Sequence, residues 1–297
     1  DPLLEALCSK DIANKAIEAL AQLNDPRVVD ELIKVLESNE NWEPAAIALG
    51  QFNDVRAVHS LVKKIEIIEQ YSWRRRDYLC SIIINAISQI DDIEAQKALV
   101  QLLGNNNKEV ITRAKAAILT LQNPNIVELL INRLESFPTC THTAQILGEK
   151  KDRRAVDALC NAATENIKAI EALGEIGDLK AVIPLVQIIE SKDEQNGQYA
   201  LDALIKLKAP NSSEHLFLFA TSDYEWDVEY KASIALANLK DKRAVNLLIP
   251  YLSSSEEYRK GASKALCRVG ETIWSRAIYG NSNDYHRIIT IKDPRVF

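Results

Sequence analysis

The feature that most limits what this chain can fold into is a turn that recurs along most of its length. The stretch Ala48-Leu49-Gly50-Gln51-Phe52-Asn53-Asp54-Val55-Arg56-Ala57-Val58 returns as Ala172-Leu173-Gly174-Glu175-Ile176-Gly177-Asp178-Leu179-Lys180-Ala181-Val182. It returns again as Ala235-Leu236-Ala237-Asn238-Leu239-Lys240-Asp241-Lys242-Arg243-Ala244-Val245. Aligning every copy on the turn gives nine units: 1–23, 24–52, 53–90, 91–121, 122–150, 151–176, 177–207, 208–239 and 240–269. One column reads Leu20, Leu49, Ile87, Ile118, Leu147, Leu173, Leu204, Leu236, Leu266 without exception. The position before it is Ala in every unit but one, where Ile146 stands. The residue closing the turn is apolar except at Lys150. Chance does not hold three columns together in this way, and self-similarity at such a period marks a repeat array.

Each unit reads as two helices. Asp25-Pro26, Asp54, Asp92, Asn123-Pro124, Asp152, Asp178 and Asp241 open the first helices. A carboxylate or amide oxygen there accepts from the orphan N–H groups of the first turn, and proline suits the first helical position. Val28, Val29, Leu32, Ile33 and Leu36 then fall on one face at helical spacing. The second helix carries the Ala column, whose small side chains admit a close neighbour. Gly50, Gly148 and Gly174 stand near its end, where a glycine can take a positive φ. Such an array explains how 297 residues, 47% hydrophobic but only 6% aromatic, form one continuous core, since each unit touches only its neighbours.

The Asp-x-Arg-Ala-Val…Leu…Ala-Leu-Gly pattern, as at Asp152-Arg153-Arg154-Ala155-Val156 and Ala172-Leu173-Gly174, resembles the HEAT-like repeats first described in phycobilisome lyases. The resemblance covers residues 1–269. It implies an all-α fold, a right-handed α-α superhelix of about nine helical hairpins whose second helices line the concave surface. Residues 270–292 leave the pattern, with Glu271–Tyr279 a possible extra helix, and Asp293-Pro294-Arg295-Val296 looks like the onset of a further repeat. Asp1-Pro2-Leu3-Leu4 opens in the same way and neither end shows a clear polar cap, so a fragment of a longer protein is expected.

The repeat does not dictate an activity. The related deoxyhypusine hydroxylases bind a di-iron centre through His-Glu pairs, whereas His59, His142, His215 and His286 are followed here by Ser60, Thr143, Leu216 and Arg287. Phycobilin lyase subunits hold a bilin beside a target cysteine; the Ala-Ala-Trp-Trp stretch associated with one such subunit is absent, which leaves a lyase or bilin chaperone as the first alternative. HEAT-like DNA glycosylases use a strongly basic groove, while this chain carries a net charge of −6 and a pI near 5.4. A nucleic-acid-binding or base-excising solenoid is therefore the second alternative only. No phosphate-binding glycine loop and no G-x-S-x-G is present, so no catalytic residue, metal or cofactor is expected. Cys140-Thr141-His142 reads as a plain surface turn. The five cysteines (8, 80, 140, 160, 267) are scattered, with no C-x-x-C, which points to free thiols in a reducing, cytoplasmic setting. No apolar run suits a membrane span.

Two features invite a binding role. Arg27, Arg56, Arg154 and Arg243, with Lys180, form a cation ladder at one repeated position, where holding the stack together is the favoured reading. Trp73-Arg74-Arg75-Arg76, with Tyr78, is the densest basic and aromatic cluster. It is either a contact for phosphate or an acidic partner, or a solvated helix start whose Arg stems cover apolar surface. With no second basic cluster in the sequence, the solvated start is favoured. Aromatics also gather near second-helix starts: Trp42, Tyr78, Tyr199, Trp226, Tyr230 and Tyr258. Some could be anchors and some could fill wedges between units. The expected function is a non-enzymatic scaffold that holds a protein or peptide on the concave face. Its candidate anchors are Trp42, Trp73, Arg74, Arg75, Arg76, Tyr78, Trp226 and Tyr230.

Overall fold

The computed structural model describes residues 28–38, 42–70, 73–191, 194–207, 212–221 and 226–269, together with Lys15, Ala16 and Ala19. The rest of the first repeat, the Asp25-Pro26 cap and the segment 270–297 lie outside the described residues, as do the side chains of Trp73, Arg74 and Trp226. Among the described residues every regular element is a helix. The chain divides into two compact units, Asp1–Asn166 and Ile167–Phe297.

The first unit contains α1 (Val28–Glu37), α2 (Trp42–Phe52), α3 (Ala57–Ile68), α4 (Trp73–Gln89), α5 (Ile93–Leu102), α6 (Lys108–Thr120), α7 (Asn125–Ser136), α8 (Thr141–Lys150) and α9 (Val156–Ala162). Successive pairs from α1–α2 to α7–α8 are the hairpins expected from the sequence. Between repeats, like packs on like. First helices α1, α3, α5, α7 and α9 contact in series, and second helices α2, α4, α6 and α8 do the same. This two-layer stack is the arrangement of an α-solenoid.

The second unit contains α10 (Ile167–Ile176), α11 (Val182–Glu190), α12 (Glu194–Leu207), α13 (Ser212–Thr221), α14 (Trp226–Asn238), α15 (Ala244–Leu248) and α16 (Glu256–Val269). Its hairpins are α11–α12, α13–α14 and α15–α16, and α10, α12, α14 and α16 contact in series.

The repeat columns are the core. Leu49, Ile87, Ile118, Leu147, Leu173, Leu204, Leu236 and Leu266 are all buried. Burying each such side chain is worth about 1.5–3 kcal/mol. Every described cap works as expected: the side-chain oxygens of Asp54, Asp92, Asn123, Asp152, Asp178 and Asp241 each accept from the backbone N–H two residues on.

The helix-end glycines act differently from the expectation. Gly50 and Gly174 are not left-handed; they are contact points. A Cβ on Gly50 would lie 2.8 Å from the Ala86 Cα of the next second helix, and one on Gly174 would lie 3.0 Å from the Ala203 Cα. The positive φ falls three residues later, at Asn53, Lys151, Gly177 and Lys240. The helix closes there, and only one of the four is glycine. Lys150, the exception in the closing column, donates to the Leu121 carbonyl at 2.9 Å and so satisfies the end of α6. Burial lowers its pKa from the ordinary lysine value.

Candidate functional site

At Arg56, Arg154 and Arg243 the Asp-x-Arg ladder is a set of clamps, while Arg27 lies outside the described residues. Arg56 grips its own Asp54 with Nε and Nη2 and donates from Nη1 to Asp30 of the preceding repeat at 2.8 Å. Arg154 grips Asp152 and reaches the Pro124 carbonyl. Arg243 grips Asp241, bonds to Glu214 at 2.8 Å and lies 4.4 Å from the Phe217 ring. Hydrogen bonds from these guanidiniums hold the carboxyls of Asp54, Asp152 and Asp241 below their ordinary value of 3.8. A planar fork pre-shaped for a carboxylate suits this work. The clamps tie each turn to the helix before it, which is the structural role favoured by the sequence.

The remaining candidate anchors separate by exposure. Trp42, a candidate anchor in the sequence, is instead a core residue, only 4% exposed. The buried Lys64 of α3 crosses its ring at 5.1 Å and donates to the Ser38 carbonyl at 2.7 Å. That carbonyl lies at the negative end of α1, which favours a cation. Trp42 therefore seals the seam between two repeats.

Tyr230 is half-buried between Tyr251 and Tyr258, with ring centroids 4.9 and 4.8 Å away, and its hydroxyl donates to the Tyr258 carbonyl. Its oxygen lies over Gly261, where an added Cβ would approach it to 1.9 Å. The space left by that glycine makes Tyr230 a wedge between α14 and α16.

The start of α4 is different. Tyr78 is 62% exposed, and Arg75 stands in solvent with Nη2 2.8 Å from Glu43 of α2. Arg76 is half-buried, its Nε 3.5 Å from Asp77 Oδ1. Beneath them Cys80 is fully buried, and burial, with the carboxylates of Glu69 and Asp77, pushes its thiol up to about 11. Such a thiol stays protonated at neutral pH and is no nucleophile. Counting back from the Ala column, Tyr78, Ile82 and Asn85 share the outward stripe of α4 with Glu43 and Ile47 of α2 and with Arg113 and Ala116 of α6. Ile47 is also exposed. Among the described residues the other exposed large apolar side chains are Val55, Ile93, Phe137, Leu179, Ile183 and Leu218.

Cys140 caps α8 without a side-chain bond to the backbone, and its sulfur accepts from the Thr143 hydroxyl at 3.0 Å. Among the described residues no three His, Cys, Asp or Glu side chains gather to hold a metal, and no helix is long and apolar enough to cross a membrane. Lys64 escaped the sequence reading. Its sign was a lysine inside the apolar stripe of α3, at a position where a cation reaches back over the preceding turn.

The family model described as PBS lyase HEAT-like repeat matches residues 13–38, across the turn between the first two repeats. No curated protein matches this chain. Among solved structures, an engineered protein is similar at 20% identity, over 98% of each chain, with a TM-score of 0.42. Human deoxyhypusine hydroxylase in complex with glycerol is similar at 16% identity, over 91% of this chain and 95% of that one, with a TM-score of 0.35. The CpcE–CpcF complex of phycocyanin lyase from Nostoc sp. PCC7120 is similar at 17% identity, over 98% and 92%, with a TM-score of 0.28. At these scores none of the three bears on what this chain binds or does.

Proposed function

We propose that this chain is a non-enzymatic binding scaffold that holds a protein or peptide on the outward face of its second helices, the face expected to be concave. The observation that carries the reading is the start of α4, where Tyr78 stands 62% exposed beside a solvated Arg75. Tyr and Arg are the residue types that dominate interface energetics when a partner desolvates them. Among the described residues Arg56, Arg154 and Arg243 of the cation ladder contribute no free site of this kind, because they are engaged in clamps. Ile47 and Ile82 extend the apolar part of the same face.

The test starts from the immobilised chain and a lysate of its source cells. A retained protein is then measured by surface plasmon resonance against Tyr78→Ala, Arg75→Ala and, on the first-helix side, Ile183→Ser. Losses of about tenfold in the first two, with Ile183→Ser unchanged, are expected for anchors at the centre of an interface. A loss confined to Ile183→Ser would move the interface to the other layer. Failure to retain any protein would remove the scaffold reading.

A further inference from the structure

We infer that the segment held by this face is acidic. The inference rests on the scaffold reading above and gives its partner a chemistry.

In the sequence the Trp73–Tyr78 cluster stands alone, which favours a merely solvated helix start. The fold changes that judgement, because α6 packs directly against α4 in the second-helix layer. Lys108, Arg113 and Lys115, more than thirty residues away along the chain, join Arg74, Arg75 and Arg76 on two adjoining helices. Against them α4 and α6 carry only Asp77 and Glu109. Both helices also begin here, and their N-terminal ends add partial positive charge. This concentration stands out in a chain whose net charge is −6. In the second unit α16 is basic, with Arg259, Lys260, Lys264 and Arg268 against Glu256 and Glu257, but the helices before it in the layer are the opposite. There α12 carries Glu194 and Asp202 against Lys206, and α14 carries Asp227 and Glu229 against Lys231.

The cations already have internal partners: Arg75 pairs with Glu43, Arg76 with Asp77, Arg113 with Glu109, and Lys115 with Glu149 of α8. The pairs of the exposed Arg75 and Arg113 are worth only about 0–1 kcal/mol each. Incoming carboxylates can therefore share or replace them. An acidic peptide fits better than a nucleic acid. The apolar stripe of Tyr78, Ile82 and Ile47 asks for aliphatic or aromatic side chains between the acids, and the remainder of the chain repels a long polyanion.

The probe is a phage-displayed library of random dodecapeptides selected on the full chain, followed by fluorescence anisotropy of the enriched peptides. Expected are sequences rich in Asp and Glu around apolar residues, binding more weakly as salt rises. Their affinity falls about tenfold or more in the Arg75→Glu, Arg113→Glu double variant. It stays within about twofold in Arg75→Lys, Arg113→Lys, which keeps the charge, and in Lys206→Glu of the second unit. Circular dichroism melting confirms that each variant is folded. Enrichment of neutral or basic peptides that lose binding in Tyr78→Ala would overturn the acidic partner and leave the scaffold reading standing. No enrichment at all would overturn both. A 20-nucleotide thymidine oligomer that displaces the peptides at lower concentration than they bind would assign the patch to nucleic acid and overturn the inference.

Discussion

Near the start of α4, in the first unit, Tyr78 stands exposed beside Arg75, whereas near the start of α14, in the second, Tyr230 is locked between Tyr251 and Tyr258. Both stretches have an aromatic residue, nearby charges and a following Ala-Ile or Ala-Leu pair, although Tyr78 stands eight residues before Ala86 and Tyr230 five before Ala235. The repeats supporting them also share their devices, since Arg56 in one unit and Arg243 in the other clamp their turns in the same way. What differs is the angle at which each ring leaves its helix and the surface opposite it. Gly261 on α16 leaves room for the Tyr230 ring to enter the stack. The lesson is that an aromatic near a helix start becomes a wedge or an anchor according to its register on the helix and the residue facing it from the next repeat.

The largest effect that sharpens this contrast is on stability. Trp42→Ala, which empties a buried site and strips Lys64 of its ring contact, should cost about 3–5 kcal/mol in urea unfolding. Tyr78→Ala should stay within about 0.5 kcal/mol, as an exposed side chain does. Comparable losses in both would mean that Tyr78 is also a packing residue.

Gly261→Ala comes next, at about 1–3 kcal/mol, because the added methyl and the Tyr230 hydroxyl claim the same space. Tyr230→Phe should recover part of that loss in the double variant, and strict additivity of the two changes would break the wedge account.

The shared turn gives a smaller pair of effects with opposite signs. Gly177 has φ +75° with nothing near an added Cβ, so Gly177→Ala isolates the backbone penalty and should lower stability by about 1 kcal/mol. Lys151, at φ +53°, is the reverse case, and Lys151→Gly should raise the melting temperature by relieving up to about 1 kcal/mol of strain.

The smallest effect concerns acid. The Asp54, Asp152 and Asp241 carboxyls sit below 3.8 in the folded chain because their arginines bond the charged form. A depressed folded pKa contributes stability that is fully present above the unfolded value and is lost as pH falls through the folded one. Melting temperature should therefore drop on the acid side of about pH 4. Asp54→Asn should be slightly less stable at neutral pH and should show a shallower acid-side fall. An unchanged pH profile would show that the clamp adds no net stability.

Much of the fold was legible along the chain. The Leu/Ile column marked the core, and the Asp and Asn caps marked the helix starts, because burial and capping are set by residue type and local spacing. The glycines were legible as special but not for the right reason. Gly50 is small because Ala86 of the next repeat approaches it, a contact between residues 36 positions apart. Trp42 and Tyr78 differ in register, six and eight residues before the Ala column, and so point about 200° apart around their helices, but helix periodicity alone does not say which of those directions is covered by the next repeat.

Sequence by itself determined the repeat, the helical hairpins, the caps and the acidic character of the chain, all of which follow from local chemistry and its period. Only the tertiary structure decided which aromatics are buried, which arginines are committed to clamps, and that the basic ends of α4 and α6 lie side by side. Those outcomes depend on packing between neighbouring repeats, where the size of one facing residue sets whether a side chain enters the stack or remains in water.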